Sequence, residues 1–109
     1  MNKKRVVITG MGCLTPIGNS VEEFHTGIKT GKNGVAPITL FDTEPLSVKI
    51  AAEVKDLDME SFIDRKELNR MDRFCAFGVI AADEAIHNSG LTKDNSNPER
   101  VGVIIGSGI

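Results

Sequence analysis

Residues Val101–Ile105 read VGVII, a run that is apolar on both faces. A strand of this kind needs neighbours on both edges and cover on both faces, so it belongs in the interior of a mainly parallel sheet flanked by helices. A second apolar, β-branched run, Arg5–Thr9 (RVVIT), is closed by Gly10 and predicts another buried strand. Between the two, the pattern changes period. Ser20 followed by Glu23 is a capping box, Val21, Phe24 and Ile28 share one helical face, and Gly31 suits a left-handed helix end. Lys32–Glu44 is turn-rich and reads as irregular. Leu46–Lys55 alternates, with Val48, Ile50, Ala52 and Val54 on one side and Lys49, Glu53 and Lys55 on the other, which predicts a half-exposed strand. A short helical turn is expected around Phe62–Leu68. Asp72 opens a longer helix, Arg73 to about Asn88, whose stripe is Phe74, Phe77, Ala81 and Ala85, with Gly78 and Ala82 beside it. These small residues predict close backbone packing against another element. Gly90 ends this helix. The order strand, helix, strand, helix, strand gives an α/β fold.

The length of 109 residues suits one modest domain. A net charge of −2 argues against a general nucleic-acid binder, and five Phe with no Trp or Tyr offer no platform for stacked bases. The two cysteines, Cys13 and Cys75, lack metal-ligand spacing and form no disulfide framework, which points to a reducing, cytoplasmic setting. Val6–Ile8 is too short an apolar run for a signal peptide or a membrane span.

Several residues invite a chemical reading. The loop Gly10-Met11-Gly12-Cys13-Leu14-Thr15 follows a strand, but Thr15 stands where a dinucleotide fingerprint has its third glycine. Pro16 comes next, and the helix cap waits until Ser20. A tight structural turn is the expected role. Cys13 has no local base and reads as a small, semi-buried residue; Cys75, in the first turn of the long helix, reads as packing. His25 and His87 read as surface histidines. Glu22/Glu23 and Asp83/Glu84 are adjacent in sequence, point in different directions, and read as solvated faces. Arg65, Lys66, Arg70 and Arg73 crowd a short segment of an acidic chain. They read either as a solvated helix start or as a dock for an acidic partner or phosphate.

Four segments, in order and in register, resemble the condensing enzymes of the thiolase-like fold: RVVITGMGCLTPIGNSVEEF, FDTEPLSVKIAAEVKDLD, RKELNRMDRFCAFGVIAADEAIHNSGL and RVGVIIGSGI. The resemblance is strongest to the elongating β-ketoacyl-acyl-carrier-protein synthases of fatty acid synthesis. It implies a layered fold with a mainly parallel sheet, a homodimer, no cofactor or metal, no nucleic acid or membrane partner, and a decarboxylating Claisen condensation fed by acyl carrier protein. The family's nucleophilic cysteine and two histidines fall after Ile109. Residues 1–109 are therefore expected to be an incomplete N-terminal synthase domain, inactive by itself. By the same resemblance Lys66 and Arg70 match positions that touch the carrier protein, Asn69 stands where a relative has a basic residue, and Ile109 matches an isoleucine bordering the acyl pocket. Two alternatives stay open: a nucleotide-binding α/β module, and a non-catalytic relative that sets chain length.

Overall fold

The computed structural model describes residues 2–108. The elements are α1 (Val21–Thr30), β1 (Val35–Pro37), β2 (Ile50–Ala52), α2 (Arg65–Leu68) and α3 (Arg73–Ser89), with 3-10 turns at Met59–Ser61 and Pro98–Arg100. No helix among the described residues is long and apolar enough to cross a membrane.

Helix α1 is delimited by local chemistry. Ser20 Oγ accepts the Glu23 amide at 3.2 Å, and the Glu23 carboxylate reaches back to the Asn19 amide at 2.8 Å, one residue earlier than in the usual reciprocal pair. At the far end Gly31 takes φ +68°. The Gly31 and Lys32 amides close onto the carbonyls of Ile28 and Gly27, leaving a C-terminus that only glycine reaches without strain. Helix α3 begins after Asp72, whose side chain makes no capping bond, and ends at Gly90, φ +70°.

The core lies where α3 meets the segment before it. Ala76 and Ile80, one helical turn apart, are 1% and 3% exposed, and Ile63 is 5% exposed. Leu14, Leu57, Met59, Leu68 and Met71 pack around them. The expected stripe of Phe74, Phe77, Ala81 and Ala85 is thus not the core face. Phe74 is exposed and Phe77 half-buried, because the apolar residues of the preceding turns meet the neighbouring face. Close backbone packing does occur at Ala81 and Ala85, as described below.

The sheet also differs from expectation. Among the described residues the sheet is β1 and β2, antiparallel, with Val35 opposite Ala52, Ala36 opposite Ala51 and Pro37 opposite Ile50. β1 falls within the stretch expected to be irregular. Arg5–Thr9 and Val101–Ile105 carry no regular secondary structure and join no ladder, and both are exposed; Val6 and Ile104 stand at 94% and 98%. No parallel pairing is present among the described residues, so no neighbouring strand there flanks these two runs.

The alternation of Leu46–Lys55 is real but its inward side is the reverse of that expected. Val48, Ile50 and Ala52 are exposed, Ala51 is half-buried and Glu53 is 8% exposed. Three donors explain why a carboxylate is tolerated there: the Thr39 amide at 3.0 Å and its hydroxyl at 3.1 Å on Oε1, and the Leu40 amide at 3.2 Å on Oε2. Glu53 therefore latches the chain beyond β1 to the end of β2. The Thr39 amide bond, outweighing the opposing effect of burial, holds the Glu53 carboxyl below its ordinary value; the Thr39 hydroxyl, the Leu40 amide and nearby Lys55 act in the same direction. A depressed folded-state value means that the stability contributed by Glu53 is complete above the carboxyl's unfolded value and is lost as pH falls through the folded one. The stability gap between the native protein and Glu53→Gln is thus expected to narrow on acidification. Urea titrations at a series of pH values measure it, and a pH-independent gap would show that the latch carries no charge-dependent stability.

Candidate functional site

The segment from Asp58 to Arg73 folds around its own carboxylates and apolar anchors. Asp58 caps the 3-10 turn through the Glu60 amide at 3.2 Å, and Asp64 caps α2 through the Lys66 amide at 3.3 Å. Ile63, Leu68 and Met71 point into the core and fix the turn from beneath. Its charged side chains are thereby presented outward from an anchored backbone.

The four basic residues then separate into two kinds. Arg65 pairs with Glu60 at 3.8 Å. Arg73 lies 4.9 Å over the Phe77 ring and donates to the Val54 carbonyl at 2.9 Å, which pins it to the fold. Lys66 and Arg70 are exposed and make no ion pair or side-chain hydrogen bond among the described residues. Their charges are available to an external anion, and their positions on a held turn keep them in fixed register. Lys66 and Arg70 are also the two positions that the resemblance matches to carrier-protein contacts. Ile109, the other such position, lies outside the described residues.

The glycine loop has a structural occupation. A Cβ on Gly12 would strike the Ala81 carbonyl oxygen, and one on Gly10 the Ala85 carbonyl oxygen, so the loop lies directly against the α3 backbone. Thr15 and Gly18 exchange backbone bonds at 2.9 and 3.2 Å across Pro16-Ile17. Glu84 closes the arrangement. Its Oε1 accepts the Cys13 amide at 3.0 Å, and its two oxygens accept the Val21 amide at 3.3 and 3.1 Å. Far from being a solvated face, Glu84 is half-buried and sits at the positive end of α1. Ser20 Oγ accepts a further first-turn donor, the Glu23 amide. A phosphate approaching this helix end would have to displace an internal carboxylate, which argues against the nucleotide reading.

The remaining candidates fall away from chemistry. Cys13 is half-buried as expected, and burial, followed by the charge of Glu84, pushes its thiol up, opposite to what a nucleophile requires. Cys75 is exposed rather than packed, since α3 turns its Ala76–Ile80 face inward. His25 and His87 are both exposed. Sequence reasoning missed buried Glu53 and half-buried Glu84 as anchors. No local pattern marks either one, because the amides they bind come from other parts of the chain.

Known proteins extend this picture. The family described as "Beta-ketoacyl synthase, N-terminal domain" matches residues 3–109. The 3-oxoacyl-[acyl-carrier-protein] synthase 2 of Synechocystis sp. is 47% identical over 109 residues, all of this chain and 26% of the relative. The protein of the same name from Staphylococcus aureus (strain N315) is 49% identical over 106 residues, 97% of this chain and 26% of the relative. The chain thus spans about a quarter of the length of these curated relatives. Among solved structures, "The ishigamide ketosynthase/chain length factor" superimposes with a TM-score of 0.78 at 39% identity, covering 86% of this chain and 23% of that one. A β-ketoacyl synthase from Burkholderia phymatum STM815 gives 0.67 at 30% identity, with the same two coverages. The backbone superimposes on about a quarter of each ketosynthase structure, the family match spans nearly every residue, and the chain belongs to the β-ketoacyl synthase family.

Proposed function

We propose that this chain is the N-terminal part of a condensing enzyme that elongates acyl chains in fatty acid synthesis, acting in the cytoplasm as a homodimer on substrates carried by acyl carrier protein. In that reaction an acyl group passes from the carrier to a cysteine of the enzyme. Malonyl-carrier protein loses carbon dioxide, and the resulting carbanion attacks the thioester carbonyl and expels the cysteine thiolate. The nucleophile and its histidines are assigned to the three-quarters of the relatives' length that lies outside this chain. The raised thiol of Cys13 and the surface positions of Cys75, His25 and His87 support that assignment. In the same reading Arg5–Thr9 and Val101–Ile105 are strands of a mainly parallel sheet completed by other parts of the protein, and Ile109 borders the acyl pocket.

The observation that carries the proposal is the pair Lys66 and Arg70. They are exposed, unengaged among the described residues, and set on a turn anchored by Leu68 and Met71, on a chain whose relatives are named for an acyl-carrier-protein substrate. An acidic carrier is the partner such a pair suits. In the intact enzyme, Lys66→Glu with Arg70→Glu is expected to raise KM for carrier-bound substrates by about tenfold or more, while small thioesters react nearly as before. The difference should shrink with added salt, because exposed charges are screened. Equal losses with both kinds of substrate would remove the docking role. A second reading, a partner that sets chain length without catalysis, is favoured by the ketosynthase/chain length factor likeness. Absence of acyl-enzyme after incubation of the intact protein with acyl-carrier protein would select it.

A further inference from the structure

Seven asparagines occur in the chain, and one of them, Asn33, precedes a glycine. The chemistry of an Asn-Gly step depends on whether the following amide nitrogen can reach the side-chain carbon, and glycine, with no Cβ, obstructs that approach least. Asn33 is exposed in the turn between α1 and β1. Its Oδ1 accepts the Val35 amide at 3.0 Å, which polarises the side-chain carbonyl while its NH2 group makes no hydrogen bond among the described residues. Other asparagines are held differently. The NH2 groups of Asn19, Asn88 and Asn95 donate to the carbonyls of Lys55, Met11 and Gly90 at 2.6, 2.9 and 2.7 Å, and Asn97 precedes Pro98, which has no amide hydrogen to give up.

From this contrast we propose that Asn33-Gly34 is a site of spontaneous modification, at which the chain converts its own asparagine to a mixture of aspartate and isoaspartate. The Gly34 amide nitrogen attacks Cγ of Asn33, the new N–Cγ bond forms, the Cγ–Nδ2 bond breaks, and the Gly34 amide proton leaves with the side-chain nitrogen as ammonia. Water then opens the cyclic imide at either carbonyl. Opening at one gives aspartate. Opening at the other gives isoaspartate, with the main chain rerouted through the side chain. Nothing is oxidised or reduced, and water is the sole co-reactant.

The location gives the reaction a structural consequence. Gly34 is pressed against Pro16: a Cβ there would lie 2.7 Å from Pro16 Cβ and 3.1 Å from its carbonyl oxygen. The residue after it, Val35, opens β1 and pairs with Ala52. Isoaspartate lengthens the backbone just before both contacts. It also places a new negative charge close to Lys32 in sequence and next to a turn that had none.

The test is to hold the intact protein in mildly alkaline buffer at physiological temperature and follow it by isoelectric focusing and peptide mapping, with protein isoaspartate methyltransferase as the probe for the rearranged linkage. An acidic species should accumulate, its altered peptide should contain residue 33, and methyl label should appear in that peptide in excess over those holding Asn19, Asn88 or Asn95. Asn33→Gln, whose longer side chain closes a less favourable ring, should abolish most of the acidic species. An intact Asn33 under conditions that convert another asparagine, or an undiminished acidic species in Asn33→Gln, would overturn the proposal.

Discussion

Replacing Gly12 by alanine is expected to cost the protein more than about 3 kcal/mol of stability. The added methyl group would overlap the Ala81 carbonyl oxygen and lie 2.9 Å from both the Ala81 carbonyl carbon and the Ala85 amide nitrogen. All three are backbone atoms of a seventeen-residue helix, so no side-chain rotation relieves the clash. Either the loop lifts from α3 or the helix shifts, and both movements pull on the Cys13–Glu84 bond next door. Gly31→Ala is the matching control. That glycine has φ +68° with nothing within 4 Å, so alanine there meets conformational strain alone, about 1 kcal/mol. Chemical denaturation of the intact protein separates the two effects. A loss at Gly12 no larger than that at Gly31 would mean that the loop does not rest on the helix.

Glu84→Ala should destabilise by about 2–3 kcal/mol, because it strands two partly buried amide donors and removes a charged acceptor from the start of α1. Glu84→Gln, which keeps one acceptor oxygen, should lose less. A second readout follows from Cys13. The charge of Glu84 is one of the two causes that push its thiol up, so removing that charge should let the thiol fall toward its ordinary value. Alkylation of Cys13 at fixed, mildly alkaline pH should then be faster in both variants. Unchanged stability within about 0.5 kcal/mol, together with unchanged thiol reactivity, would show that the clamp is inconsequential.

The parts of the fold legible in the sequence are those decided within a few residues. Ser20, Glu23 and Gly31 define α1 by contacts at most five positions apart, and Gly90 ends α3 in the same way. The Lys66–Arg70 pair was visible as charge density, and the resemblance separated it from Arg65 and Arg73. What could not be read were partners distant in sequence. Glu53 alternates with apolar residues and so reads as the wet side of a strand; its donors at Thr39 and Leu40 lie beyond a connecting loop that no local rule joins to it. Glu84, beside Asp83 on a helix, reads as solvated until the glycine loop is laid across that helix. The stripe on α3 was misplaced for a related reason. Phe74 and Phe77 have the larger side chains, but Ile63, Leu57 and Leu14 approach the face bearing Ala76 and Ile80.

The clamp also sets an order of events in time. The caps of α1 are local and can close on the microsecond scale of helix formation. Docking is another matter, since the carboxylate that receives the Val21 amide lies 63 positions further on, and for the Cys13 amide 71. During synthesis at roughly 5–20 residues per second, the first residue of α1 is made several seconds before the side chain that will hold it. Over that interval α1 can be wound but has no place to rest, and the Gly10–Gly12 loop has no helix to lie against. Assembly of the N-terminal half is therefore governed by the arrival of α3.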